Sequence, residues 1–139
     1  MALTHYAFEK VICLFGTVPI VGFFEGDDVI SVERSVPTFT MPMGAGGDGI
    51  AVQAADRSGI ITVKLLQTSP SNLYLSGLLE AAEQGLFVAH PFLLKDAGTN
   101  LQLVAASQCV IQQPTKQVYG ANHTPREWSF SAEHLVMVA

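Results

Sequence analysis

Gly59-Ile60-Ile61-Thr62-Val63-Lys64-Leu65-Leu66-Gln67-Thr68-Ser69-Pro70-Ser71-Asn72 changes periodicity at its centre. Up to Gln67 it alternates. Ile61, Val63 and Leu65 share one face and Ile60, Thr62, Lys64 and Leu66 the other, the pattern of a strand. From Ser69 the signals are those of a helix start. A serine hydroxyl can accept a free amide of the first turn, and proline at the first helical position gives up no hydrogen bond. Leu75, Leu78, Leu79 and Ala82 then recur at i, i+3, i+4 and i+7 as one apolar stripe, with Glu80 and Glu83 left for water. Gly85 supplies the stop. A strand over 59–67 followed by a helix over about 70–84 predicts a sheet covered by one helix.

The flanking segments extend the sheet. Residues 11–15 and 18–24 read as strands, with Pro19 marking an edge or an early position. Gly26-Asp27-Asp28 is a turn cluster, and 29–34 alternates again. Residues 50–55 resume strand character, and Asp56-Arg57-Ser58-Gly59 breaks it as a turn or bulge. After the helix come a strand over 91–95, a turn over 96–100 and a return strand over 101–112. A polar connection over 113–125 leads to a last strand over 126–138, in which Trp128, Phe130 and Ala132 share a face. The sum is mainly β, an antiparallel β-sandwich or small barrel with one flanking helix. The 139 residues amount to one domain, 1–139.

Between about 35 and 49 the periodicity stops. Ser-Val-Pro-Thr-Phe-Thr-Met-Pro-Met-Gly-Ala-Gly-Gly-Asp-Gly holds two prolines and four glycines, which argues against a helix or a central strand. A loop this long in a small domain is uncommon and is often functional. It is also apolar, so Val36, Phe39, Met41 and Met43 are expected to sit exposed on a lone copy and to dock on something. With Gly44, Gly46 and Gly47 they are the candidate interface of this chain.

Composition points the same way. Apolar residues make up 49% and charged residues 14%, against about 25% charged in ordinary domains. Too few charges remain to coat a free surface, so copies or partners are expected to cover much of it. No run reaches the roughly 20 apolar residues of a membrane-spanning helix, and Met1-Ala2-Leu3-Thr4-His5-Tyr6 lacks the features of a secretory signal. A cytoplasmic site of synthesis, without membrane insertion, is expected. The net charge of −5 and the lack of any Lys/Arg cluster count against a protein that grips DNA by its phosphates. Cys13 and Cys109 lie in apolar stretches and read as buried, reduced thiols.

Candidate chemistry is sparse. Gly44-Ala45-Gly46-Gly47-Asp48-Gly49 fits G-x-G-x-x-G, but that pattern holds pyrophosphate only where it opens a helix, and here a strand comes next. His5, His90, His123 and His134 have no metal-ligand spacing. No G-x-S-x-G nucleophile turn occurs, and the adjacent Asp27 and Asp28 read as a solvated turn. No catalytic, cofactor-binding or metal-binding residue is assigned, no cofactor is expected, and the chain does not read as an enzyme.

Several blocks resemble, in order, a family of phage structural proteins: the tail tube subunits of contractile tails. They are Arg57-Ser58-Gly59, Ile61-Thr62-Val63, the specific run Leu65-Leu66-Gln67-Thr68-Ser69-Pro70-Ser71-Asn72, then Pro91-Phe92-Leu93-Leu94-Lys95-Asp96 with Gly98-Thr99, and Thr124-Pro125-Arg126-Glu127-Trp128-Ser129-Phe130. Upstream, Gly22-Phe23 with Gly26-Asp27, Ile30-Ser31-Val32-Glu33-Arg34, and Gly44-Ala45 with Asp48-Gly49 are similar too, so the likeness spans about residues 6–136. The resemblance implies a tail tube-like β fold assembled as hexameric rings that stack around a lumen, with a long loop reaching a neighbouring subunit or ring. It implies a virion component assembled in the host cytoplasm, inside a tail sheath and between baseplate and tail terminator proteins. Its lumen would hold a tape-measure protein and then pass double-stranded DNA, without reading sequence, during genome ejection. A related baseplate or tail-completion ring, a secretion-type tube protein and a small-ligand-binding β-barrel are the alternatives.

Overall fold

The computed structural model describes residue 3 and residues 5–97 and 102–138. Part of the turn expected over 96–100, the first residue of the strand expected over 101–112, and Met1, Ala2 and Thr4 lie outside the described residues.

A single 3-10 turn, Phe8–Lys10, leads into β1, Val11–Phe15. Next come β2 (Val18–Pro19), β3 (Ile30–Arg34), β4 (Phe39–Thr40), β5 (Val52–Gln53), β6 (Gly59–Leu66), α1 (Pro70–Glu83), β7 (His90–Asp96), β8 (Leu103–Ile111), β9 (Pro125–Ala132) and β10 (Leu135–Val138). Eight of these strands form one antiparallel sheet in the order β2-β1-β7-β8-β9-β6-β3, with β10 also on β8, while β4 and β5 pair only with each other.

The alternation in β6 and β9 explains their central place. Ile61, Val63 and Leu65 are completely buried, and Trp128, Phe130 and Ala132 lie opposite or beside them in a register that pairs Val63 with Trp128 and Ile61 with Phe130. Phe15 packs on Phe130 at 4.8 Å between ring centroids, and Phe92 lies 6.0 Å from the same ring. Offset aromatic contacts of this kind add to the area they bury. β1 and β9, three places apart in the sheet order, thus meet in one core, which requires the sheet to curl.

The stretch 18–24 shows how the curl is held. Its strand pairing with β1 ends at Pro19, short of the strand expected over 18–24. The Ile20 amide still donates to Cys13 of β1, yet the Gly22 carbonyl accepts from Leu66 and the Phe24 amide donates to Lys64, both in β6. Within four residues the chain crosses from one flank of the sheet to the other. Ser69 and Ser71 clamp this crossing: Ser69 Oγ donates to the Val21 carbonyl at 2.5 Å, and Ser71 Oγ accepts from the Val21 amide at 3.0 Å. Gly22 has φ +76°, and a Cβ there would stand 2.7 Å from Ser69 Oγ, so only glycine fits both the backbone and the space. The sheet does not close into a barrel; β2 and β3 remain its edges.

The helix begins and ends as its sequence dictates. Ser69 caps it, accepting from the Ser71 amide at 3.2 Å, and Pro70 opens the first turn. At the other end the Gly85 amide reaches Ala82 and the Leu86 amide reaches Ala81, with Gly85 at φ +97°, the paired bonds of a Schellman stop. Leu75 is fully buried, and Leu78 and Leu79 pack against the core. The last strand, expected to run unbroken over 126–138, is divided at Glu133 and His134. Both halves lie along β8, β9 against its end and β10 against its beginning.

Cys13 and Cys109 are buried free thiols, and burial pushes them up to about 12 and about 11. The thiolate is the reactive form, so both are expected to resist iodoacetamide in the folded chain at about pH 8, where an exposed thiol reacts readily. Mass spectrometry of native and urea-unfolded samples checks this; rapid native alkylation would contradict the burial. Unfolding frees thiols that ionise at the ordinary value, so the unfolded chain binds fewer protons at alkaline pH. Stability is therefore flat below that value and falls as pH rises above it.

Candidate functional site

Residues 35–54 leave the sheet as an arm. Its root is pinned by Arg34, whose guanidinium donates to Thr38 Oγ1 at 3.0 Å and to the Leu135 carbonyl at 2.8 Å. The Ser35 amide donates to Ser58 and the Ala54 amide to Thr38. Asp56, beside the root, accepts from the Ser58 amide at 2.9 Å; hydrogen bonds from the Ser58 side chain and then its backbone hold the carboxyl below its ordinary value. Beyond the root, the segment that reads as a loop pairs with itself. Phe39 faces Gln53, Thr40 faces Val52, and Met43 bridges to Gly49. The glycine run forms the tip, closed by the Gly44 amide on Asp48 and the Gly47 amide on Gly44. The glycines lead into β5, so the helix a pyrophosphate site needs is absent from this place.

The arm is apolar on both faces. Alternation puts Phe39, Met41 and Met43 on one side, and both methionine sulfurs lie over Gly49. Phe39, Met41 and Met43 are 61%, 66% and 62% exposed. Val36 differs from the expectation that it would be exposed: it is half-buried at the root. Gly44, Gly46 and Gly47 are exposed at the tip. Ile50 and Val52, on the opposite face, are exposed apolar residues that the sequence pattern did not single out; their spacing across from Thr40 and Pro42 was the available signal. A two-stranded ribbon is at best marginally stable alone in water, and this one carries its apolar side chains outward.

A second apolar feature is a groove of about 630 Å³ between the two halves of the curled sheet. Tyr6, Phe8, Phe24, Leu94, Val104 and Met137 are among its lining residues, with Glu25 and Asp27 beside them. A smaller groove of about 350 Å³ lies between α1 and β8, near the exposed Phe87 and Val88. The polar connection is tied down by Arg126, which lies under the Tyr119 ring at 5.0 Å and donates to Thr124 Oγ1 at 3.1 Å, and by His123, 3.2 Å from Glu25. Asp28 pairs with Lys64 at 3.1 Å, a solvated pair of little energetic consequence. Among the described residues no three His, Cys, Asp or Glu side chains gather as a metal site, and no helix is long and apolar enough to cross a membrane.

A curled antiparallel sheet with one flanking helix, carrying an apolar arm in solvent, is the build of a structural subunit. The chain belongs to the bacteriophage PhiTE tail tube protein family, whose model matches residues 15–138. It is a non-catalytic structural protein of the tail tube type. No curated protein matches its sequence. Solved structures share the fold. A chain of the PVC sheath–tube complex in its extended state, an extracellular contractile injection system, is 15% identical with a TM-score of 0.63, covering 96% of this chain and 90% of that one. The tube-terminating cap of the anti-feeding prophage is 12% identical with a TM-score of 0.66, covering 99% and 94%. A chain of the PVC sheath/tube terminator is 14% identical with a TM-score of 0.67 over all of both chains. At these identities the likeness is one of fold.

Proposed function

We propose that the chain is the repeating subunit of a phage tail tube: hexameric rings, stacked through their arms, around a lumen that conducts double-stranded DNA at genome ejection. The observation that carries this reading is the arm, with five large apolar side chains in water on a member of a tail tube family. Val36, Phe39, Met41, Met43 and the tip glycines Gly44, Gly46 and Gly47 form the contact between subunits or rings. The net charge of −5 suits a conduit, because a basic wall would hold phosphates and slow transit. The tube lies inside a sheath, ends on baseplate and terminator proteins, holds a tape-measure protein during assembly in the host cytoplasm, and remains in the virion.

A second reading is a cap or terminator ring, or the tube of an injection system that carries no DNA. Its support is the fold likeness to the anti-feeding prophage cap and the PVC terminator. Negative-stain electron microscopy across a concentration series separates a tube from a cap. Long hollow tubes are expected; rings that never stack at any concentration would favour the cap.

A further inference from the structure

Among the described residues no side chain fills the groove between the sheet halves, and its lining says what fits it. Its walls are mainly apolar, with Phe8, Phe24, Leu94 and Met137 among the lining residues and Asp96 and Gln102 between them. Met137 and Val138 line the groove from β10, whose outward groups at Leu135 are already taken, the amide by the Arg57 carbonyl and the carbonyl by Arg34, so this wall offers side chains and not a pairing edge. An apolar trough of this kind accepts an extended apolar segment, whose alternate side chains enter it. The arm is an extended, exposed, apolar segment, and residues 35–47 carry no charge.

Position matters as much as chemistry. The arm leaves β3 after Arg34, whereas the groove lies at the strand's other end, at Val29 and Ile30, on the order of 13 Å along the strand. A protrusion at one end and its receptor at the other make a heterologous contact, which repeats from copy to copy and yields rings or open polymers instead of closed dimers. Family membership makes a second copy the neighbour at hand.

We infer that this groove receives the Phe39, Met41 and Met43 face of the arm of a second copy, packed against Phe8, Leu94, Val104 and Met137. The inference rests on the arm being an assembly contact and adds the surface that receives it. Glu25 and Asp27 at the rim keep Asp48 at the arm tip outside, so the ribbon lies along the groove and does not enter tip first.

The test places a benzophenone amino acid at position 39 of the full chain, assembles it, irradiates it, and maps the covalent dimers by mass spectrometry. Cross-links from position 39 to peptides containing 6–8, 94 and 104, or 135–138 of another copy are expected. In parallel, Met137→Glu, at a residue already 42% exposed, should keep the fold by circular dichroism yet raise the concentration needed for assembly at least about tenfold, because it sets a charge in an apolar contact. Cross-links that fall on the α1–β8 groove, or assembly unchanged by Met137→Glu, would overturn the receptor while leaving the arm as a contact. If the chain stays monomeric at every concentration, or assembles normally with its arm made polar, both readings fall.

Discussion

A chain carrying Phe39→Ser, Met41→Ser and Met43→Ser together folds as the wild type does and grows no tubes. The three side chains are 61%, 66% and 62% exposed in the subunit, so they contribute little to its own core. Complete burial of each is worth about 1.5–3 kcal/mol. With roughly two thirds of that still to be gained on docking, the three together put about 3–6 kcal/mol at stake per contact. That corresponds to a loss on the order of 10²–10⁴ in the association constant. Every ring repeats the loss, so growth stops well before the intrinsic contact vanishes. Circular dichroism and a urea titration should overlay on the wild type, while electron microscopy shows the assembly gone. Tubes of normal length from this variant would remove the arm from the assembly contact. The Ile50 and Val52 face gives the internal comparison, since those residues are exposed on the same ribbon but turned the other way. If only one face docks, Ile50→Ser with Val52→Ser has the smaller effect.

What is legible in the sequence divides along local and non-local causes. Ile61, Val63 and Leu65, and Trp128, Phe130 and Ala132, are legible as buried faces because alternation is a property of the strand itself. The helix is legible to within a residue because Ser69, Pro70 and Gly85 each act on their own turn. The strand expected over 18–24 is too long because its end is set from outside. Ser69 and Ser71, nearly fifty residues away, draw Val21 off β1 and toward β6. The break at Glu133 and His134 has a similar origin: β8 is long enough to seat β9 and β10 end to end, which no local pattern announces. Phe39, Met41 and Met43 stand out as a candidate contact because apolar residues in a Gly- and Pro-rich stretch lack a local use. Their pairing with residues 49–53 does not show, since glycine at the tip and proline at 42 mask the alternation. The groove is invisible for a different reason: its walls come from the N-terminal turn, the 24–30 segment and strands β1, β3, β7, β8 and β10, and no single stretch carries its signature.

Trp128→Ala is expected to cost about 3–5 kcal/mol, the upper end of what a single core truncation takes from a domain. Trp128 is 1% exposed and is the largest of the fully buried side chains. Its ring sits opposite Val63 in the β6–β9 pairing, and its Nε1–H donates to Asn72 Oδ1 at 2.9 Å. Asn72 in turn donates to the Leu66 carbonyl at 2.8 Å. The indole therefore joins strand β9 to the first turn of α1, and through Leu66 to the end of β6, where the 18–24 crossing is also held. A domain of this size has a total stability on the order of 5–15 kcal/mol, so the alanine variant is left marginal or unfolded. Trp128→Phe separates packing from the hydrogen bond. It keeps most of the aromatic volume but strands the Asn72 oxygen beside the core, at about 1–3 kcal/mol. If the bond carries that cost, Asn72→Ala in the Trp128→Phe background costs less than in the wild type, and a double-mutant cycle returns a coupling of about 0.5–3 kcal/mol. Additive losses would mean that Trp128 acts through its volume alone. The failure differs in kind from that of the arm. Trp128→Ala loses its circular dichroism signal before any question of assembly arises, whereas the arm variant keeps that signal and fails only when copies meet.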